Sequence, residues 1–286
     1  MAKPQMRTAG RPREEQPPSS NGHFWVGLGR AFAGALLFSI SLLMTIEMWW
    51  LGFYMNRARL ALFTLVTVAL LIGLAHYRGF QKSVSFYESV IDAFVGYAVG
   101  VVTGAIVLLL FGVIEWGMSL SEVIGKIALQ ATAGSIGALL ARGQLGGRED
   151  DEAAEPENYW AELFLMIAGA LFVAYTVAPT EEMILIGYIM TPWHAILALI
   201  ISLVIMHTFV YEVGFRGQHE PAEDAGFWTV FLRFTLVGYA LVFLTSLYIL
   251  WTFGRVDNTA IHVTLMVTVV LSLPGALGAA AARLIL

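Results

Sequence analysis

The chain has 286 residues, 58% hydrophobic and 13% charged, with a formal net charge of −5 and no cysteine. That charged share is about half the roughly 25% of a soluble domain, so the bilayer is the expected solvent. The lack of a basic excess excludes a nucleic-acid surface, and the lack of cysteine excludes disulfides, thiolate metal sites, Fe–S clusters and cysteine nucleophiles.

Residues 1–22, with Lys3, Arg7, Arg11 and Arg13 among Pro, Ser and Glu, are too polar to order themselves and read as a disordered tail. The first apolar run is long and starts late, which predicts a retained span and not a cleaved signal peptide. Apolar windows then predict spans near Phe24–Phe53, Leu60–His76, Val90–Ile114, Val123–Ala141, Tyr159–Tyr188, Ala195–Phe215, Phe227–Phe253 and Ile261–Ile285. The expected fold is all-α and polytopic, with eight transmembrane helices. The first and fifth segments exceed the length needed to cross, so each must tilt, bend or project.

Orientation follows from Lys and Arg near the span ends. With the N-terminus inside, the cytoplasmic side holds the basic tail, Arg78, Lys82, Arg142, Arg148, Arg216 and Arg283, against mainly Arg57, Arg59 and Arg255 outside. The expectation is a multi-pass protein of a bacterial inner (plasma) membrane with both termini cytoplasmic. The acidic run Arg148–Asn158 falls in a cytoplasmic linker, residues 143–158, between span four and span five.

The spans repeat. Ala33-Gly34-Ala35-Leu36 matches Ala168-Gly169-Ala170-Leu171 at an offset of 135, as Thr45, Glu47, Met48, Gly52 and Met55 match Thr180, Glu182, Met183, Gly187 and Met190. At an offset of 142, Val95-Gly96-Tyr97-Ala98 matches Val237-Gly238-Tyr239-Ala240, and Phe111-Gly112 matches Phe253-Gly254. The last helices agree weakly, through Gly137-Ala138-Leu139 and Gly275-Ala276-Leu277. Identities in one order across successive helices predict two four-helix repeats, residues 23–142 and 159–286. Because each repeat holds an even number of spans, the two share one orientation about an axis along the membrane normal.

Within that frame Glu47 and Glu182 occupy matching positions, and Glu181 precedes the latter. A carboxylate at membrane depth is costly unless paired, hydrated or protonated, so the symmetric pair marks a site for protons or small cations. Thr45 and Thr180 add hydroxyls, and Pro179 is expected to kink its helix and free a backbone carbonyl. Asp92 and Arg233 stand near equivalent repeat positions and form a candidate ion pair. His76, His207 and His262 are candidates for proton relays, with packing the plainer role for each. Trp49, Trp50, Trp116, Trp160 and Trp193 read as interfacial anchors. No cofactor is expected and no metal-ligand set is assigned. The expected partners are the lipid bilayer and protons or small cations, with a homo-oligomer compatible.

The run Ala178-Pro179-Thr180-Glu181-Glu182-Met183, the repeated Thr-x-Glu-Met, the Gly52/Gly187 pair and the repeated Val-Gly-Tyr-Ala resemble a bacterial family of integral membrane proteins whose function is not established. That resemblance covers nearly all the chain after the tail and implies a membrane location without an activity. Pro179-Thr180-Glu181-Glu182 also looks like the first motif of the CAAX-type intramembrane proteases, which continues Glu-Glu-x-x-x-Arg. Here that position is Ile186, and His207 and His262 lack the companion Phe and Asn. Three readings therefore stand: a cation or proton channel or transporter, a non-catalytic assembly or sensing subunit, and, weakest, a CAAX-protease-like enzyme. No HExxH, Gly-x-Ser-x-Gly or phosphate loop is present.

Overall fold

The computed structural model describes residues 20–43, 45–77, 85–144, 159–211 and 227–285. Most of the predicted tail and the acidic linker lie outside them. The described residues are mostly helical: α1 (Ser20–Leu43), α2 (Ile46–Tyr54), α3 (Arg57–Tyr77), α4 (Phe86–Leu110), α5 (Leu120–Gln144), α6 (Tyr159–Val177), α7 (Glu181–Ile189), α8 (Pro192–Tyr211), α9 (Phe227–Val230), α10 (Val237–Thr252) and α11 (Ile261–Ile285). A π-helical stretch, Phe231–Leu236, joins α9 to α10. Among the described residues eight helices are long and apolar enough to cross a membrane, with α9, the π stretch and α10 forming one span, Phe227–Thr252. The protein is a multi-pass membrane protein with lipid as its surroundings.

The two overlong apolar segments are each two helices. The first breaks after Leu43 and resumes as α2; the fifth breaks after Val177 and resumes as α7, and both second pieces have nine residues. Proline does not explain both breaks, because Pro179 has no counterpart before α2. The shared cause is threonine. Thr45 Oγ1 donates to the Leu42 carbonyl (3.1 Å) and Thr180 Oγ1 to the Val177 carbonyl (2.8 Å), and both backbone N–H groups donate to the same carbonyls. The hydroxyl competes for a carbonyl of the last turn, and the backbone of each threonine turns extended. The Trp49 indole N–H caps the Leu43 carbonyl at 2.9 Å, across the break.

α5 is the hub of the first half, packed on α1, α2, α3 and α4; α11 packs on α6, α7, α8 and α10. Small residues permit this closeness. A Cβ on Gly34 would overlap the carbonyl oxygen of Gly137, and one on Gly169 the carbonyl oxygen of Gly278. Where lipid tails are as apolar as leucine, such backbone approach supplies packing that hydrophobic burial cannot. A Cβ on Gly52 would press on Lys126, and one on Gly187 on Val267. The turns after α4 and α10 also match: Gly112 and Gly254 both take left-handed backbone, φ 69 and φ 71.

The halves meet around three rings. Phe63 of α3 stacks on Tyr175 of α6 with centroids 5.2 Å apart, and Phe253 meets both edge-on at 5.9 and 5.7 Å. Tyr175 is fully buried, and its hydroxyl donates to the Leu129 carbonyl on α5.

Candidate functional site

Three carboxylates and three ion pairs gather where α2 and α7 lie. α2 buries Met48, Leu51 and Gly52 and exposes Ile46, Trp50, Phe53 and Tyr54; α7 buries Met183 and Gly187 and exposes Leu185, Ile186, Tyr188 and Ile189. Short helices with aromatic outer faces suit a membrane–water boundary. Glu47 sits in the first turn of α2, half-buried; Glu181 and Glu182 sit in the first turn of α7, exposed. Carboxylates there complement the positive end of the helix dipole.

The three carboxylates differ in their company. Glu181 Oε1 accepts from Arg255 Nη1 at 2.9 Å, and Arg255 Nη2 donates to the Pro179 carbonyl. That carbonyl lies in the break between α6 and α7. Glu47 and Glu182, in contrast, make no hydrogen bond or ion pair among the described residues. The structure thus brings Pro179 and Glu181 together through Arg255, and leaves Glu47 and Glu182 each on its own short helix.

Two further ion pairs close this end. Arg59 Nη1 and Nη2 donate to both carboxylate oxygens of Asp257, at 2.7 and 3.0 Å. Lys126, only 8% exposed, binds Glu122 at 2.8 Å and donates to the Val113 carbonyl at 3.0 Å. A lysine in the second turn of an apolar helix is costly, and all its partners lie toward the helix start, where the chain reaches water. Sequence reasoning missed Lys126, although it stands inside the predicted fourth span. Four residues on, Gln130 is buried and donates to the Ser39 carbonyl just before the first break.

Asp92 is half-buried on α4, and Arg233 lies in the π-helical stretch with its guanidinium 4.7 Å over the Tyr159 ring. The Tyr159 hydroxyl donates to the Arg233 carbonyl at 2.9 Å. α4 packs on α1, α3 and α5, whereas the π stretch packs on α8, α9 and α10. His207 is far along α8, its Nδ1 2.8 Å from Thr235 Oγ1 and its ring edge-on to Phe227 and Phe231. Fifteen residues separate it from the start of α8, roughly 22 Å along a helix. Glu181 and Glu182 stand at the other end, so the two-glutamate, two-histidine cluster a CAAX-type protease needs is not gathered. Among the described residues no group of three or more His, Asp or Glu side chains is placed to hold a metal.

A family described as "Putative integral membrane protein (DUF2391)" matches residues 27–286. No curated protein and no solved structure matches the chain.

Proposed function

We propose, for a chain that belongs to the DUF2391 family of integral membrane proteins, that it moves protons or small cations across the membrane through sites at its two helix breaks. The observation that carries this reading is the pair of interruptions after Leu43 and Val177, each followed by a nine-residue helix whose first turn holds a carboxylate, Glu47 or Glu182, unpaired among the described residues. Interrupted helices at corresponding places in two halves are where transporters build ion sites, because unwound backbone and short-helix ends supply ligands there. A carboxylate with no protein partner can take up a proton or a cation without first losing a salt bridge.

The reading includes a four-plus-four duplication. The matched threonine–carbonyl bonds, the Gly34–Gly137 and Gly169–Gly278 approaches and the left-handed Gly112 and Gly254 support it. It also places both termini in the cytoplasm of a cell with this inner membrane, so that α2 and α7 face outward, in keeping with the distribution of Lys and Arg.

Flux of protons and of sodium or calcium into proteoliposomes tests it, comparing the wild type with Glu47→Gln and Glu182→Gln. Transport that falls in both variants is expected. Absent flux in the wild type, or equal flux in all three proteins, rejects the reading.

A second reading, a membrane assembly subunit, is favoured by one observation. α8 has only 11% of its apolar stretch buried in the molecule, against 33% for α3 and 67% for α5. A helix so little held by its own chain is free to pack on another protein. Co-purification of a different protein in fixed stoichiometry, with no flux, would establish that reading instead.

A further inference from the structure

The halves meet mainly through unlike faces, beside one contact of α1 with its counterpart α6, where the Phe38 and Phe172 rings lie 4.8 Å apart. The first half presents α3: Phe63 packs on Tyr175 and Phe253, Gly73 faces the Phe164 ring, and Arg59 binds Asp257 and the Trp251 carbonyl. The second half presents α6, the end of α10 and the turn that follows. Under the four-plus-four reading, on which this inference rests, the counterpart of α3 is α8. Had the halves met by like faces, α8 would pack on α1 and α4. It packs instead on α11, the π stretch and α10, all of its own half.

The complementary face is open as well. The counterparts of Tyr175 and Phe253 are Ile40 and Phe111, which are 40% and 55% exposed. A contact between unlike faces leaves one face of each kind unused, and these two are related to the pair that meets, with Ala198, Ile40 and Phe111 where that pair has Phe63, Tyr175 and Phe253. We propose that a second copy of this chain docks on α8 through its α1 and its turn after α4, repeating between chains the interface the halves make within one.

The end of the bundle that holds α2 and α7 supplies the polar complement. Arg59, at the start of α3, has His194 as its counterpart at the start of α8, and Glu115 is the acidic residue in the turn corresponding to that of Asp257. Both are exposed, and His194 Nδ1 lies 2.7 Å from Thr191 Oγ1, which fixes the ring at the helix start. His194 of one copy would meet Glu115 of the next as Arg59 meets Asp257. Below them Leu197, Ile200, Ile201 and Val204, all exposed on α8, would cover Ile40 and Phe111. In lipid such a contact gains by close packing and by a hydrogen bond from His194 to the Glu115 carboxylate, since burial from lipid adds little.

The chain has no cysteine, so introduced thiols report alone. His194→Cys and Glu115→Cys are made in separately tagged copies, co-expressed, and oxidised in native membranes. The expected product is a species of twice the chain mass carrying both tags, absent when either variant is expressed alone. Crosslinking of H194C to itself would overturn the proposal in favour of like-face pairing. Arg59→Cys with Asp257→Cys in one chain is the control, closing an intrachain bond. If it closes and the co-expressed pair does not, the docking is wrong. If it too fails, the described interface between the halves falls with the docking. Crosslinking of H194C to Tyr188→Cys but not to E115C would overturn the repeat reading along with the docking. Flux measured on the same variants reports on transport separately.

Discussion

Arg59 holds Asp257 across 198 positions of sequence, with two hydrogen bonds of 2.7 and 3.0 Å. The same guanidinium donates to the Trp251 carbonyl at 2.8 Å and lies 4.8 Å over the Trp251 ring. One side chain thus ties the start of α3 to the end of α10 and the turn after it. The pair is partly exposed, 22% and 44%, so its Coulomb energy is screened, but the forked geometry and the ring contact add to it. Arg59→Ala is expected to cost about 1–2 kcal/mol and to lower the Tm in detergent by several degrees. Arg59→Lys should recover less than half, since an ammonium cannot fork. A Tm equal to wild type for R59A would show that the halves are held by the rings alone.

The glycine approaches give the sharpest stability prediction. Gly34→Val and Gly169→Val each place carbon where a carbonyl oxygen of Gly137 or Gly278 lies. The helices must separate, at a cost of about 1–3 kcal/mol or more. Gly27→Ala is the control, because nothing lies within 4 Å of an added Cβ there. Size-exclusion profiles and thermal melts should separate the two classes; equal behaviour would mean that α1–α5 and α6–α11 are not packed backbone to backbone.

Tyr175 tests the core between the halves. Tyr175→Phe keeps the ring stack and removes the hydrogen bond to the Leu129 carbonyl, with an expected loss of about 1 kcal/mol. Tyr175→Ala empties a fully buried aromatic site and should cost about 3–5 kcal/mol. Chemical or thermal unfolding of the two variants would read the difference, and a Y175A protein as stable as Y175F would contradict the ring triangle.

The break before α7 is expected to survive Pro179→Ala. The first half makes the same break with Thr45 and no proline, and the carbonyl that Arg255 binds is present in alanine too. The spin-label distance between Trp160→Cys on α6 and Ile189→Cys on α7 should stay as it is in an otherwise native chain. A longer distance, reporting a helix continuous through residue 179, would assign the break to proline.

Much of the architecture is legible residue by residue. Eight spans follow from where apolar runs meet charged punctuation, because the bilayer leaves a backbone little choice but helix. The breaks were half legible: segments from Phe24 and from Tyr159 are too long for one crossing, which says that something must give. It does not say that Thr45 and Thr180 would end the helices in the same way. Lys126 was legible in principle as a lone cation in an apolar run, and the residues four before and four after it, Glu122 and Gln130, are its pair partner and a buried donor.

The sequence by itself determined the solvent, the helical class, the spans and the matched positions of Glu47 and Glu182, since each depends on local composition and spacing. Tertiary structure alone decided that Glu181 is held by Arg255 while Glu47 and Glu182 stay unpaired among the described residues, and that Arg59 finds Asp257. It also decided that α3 is packed between the halves while α8 is left largely open. The physical reason is that partners so far apart in sequence are chosen by which helix faces meet.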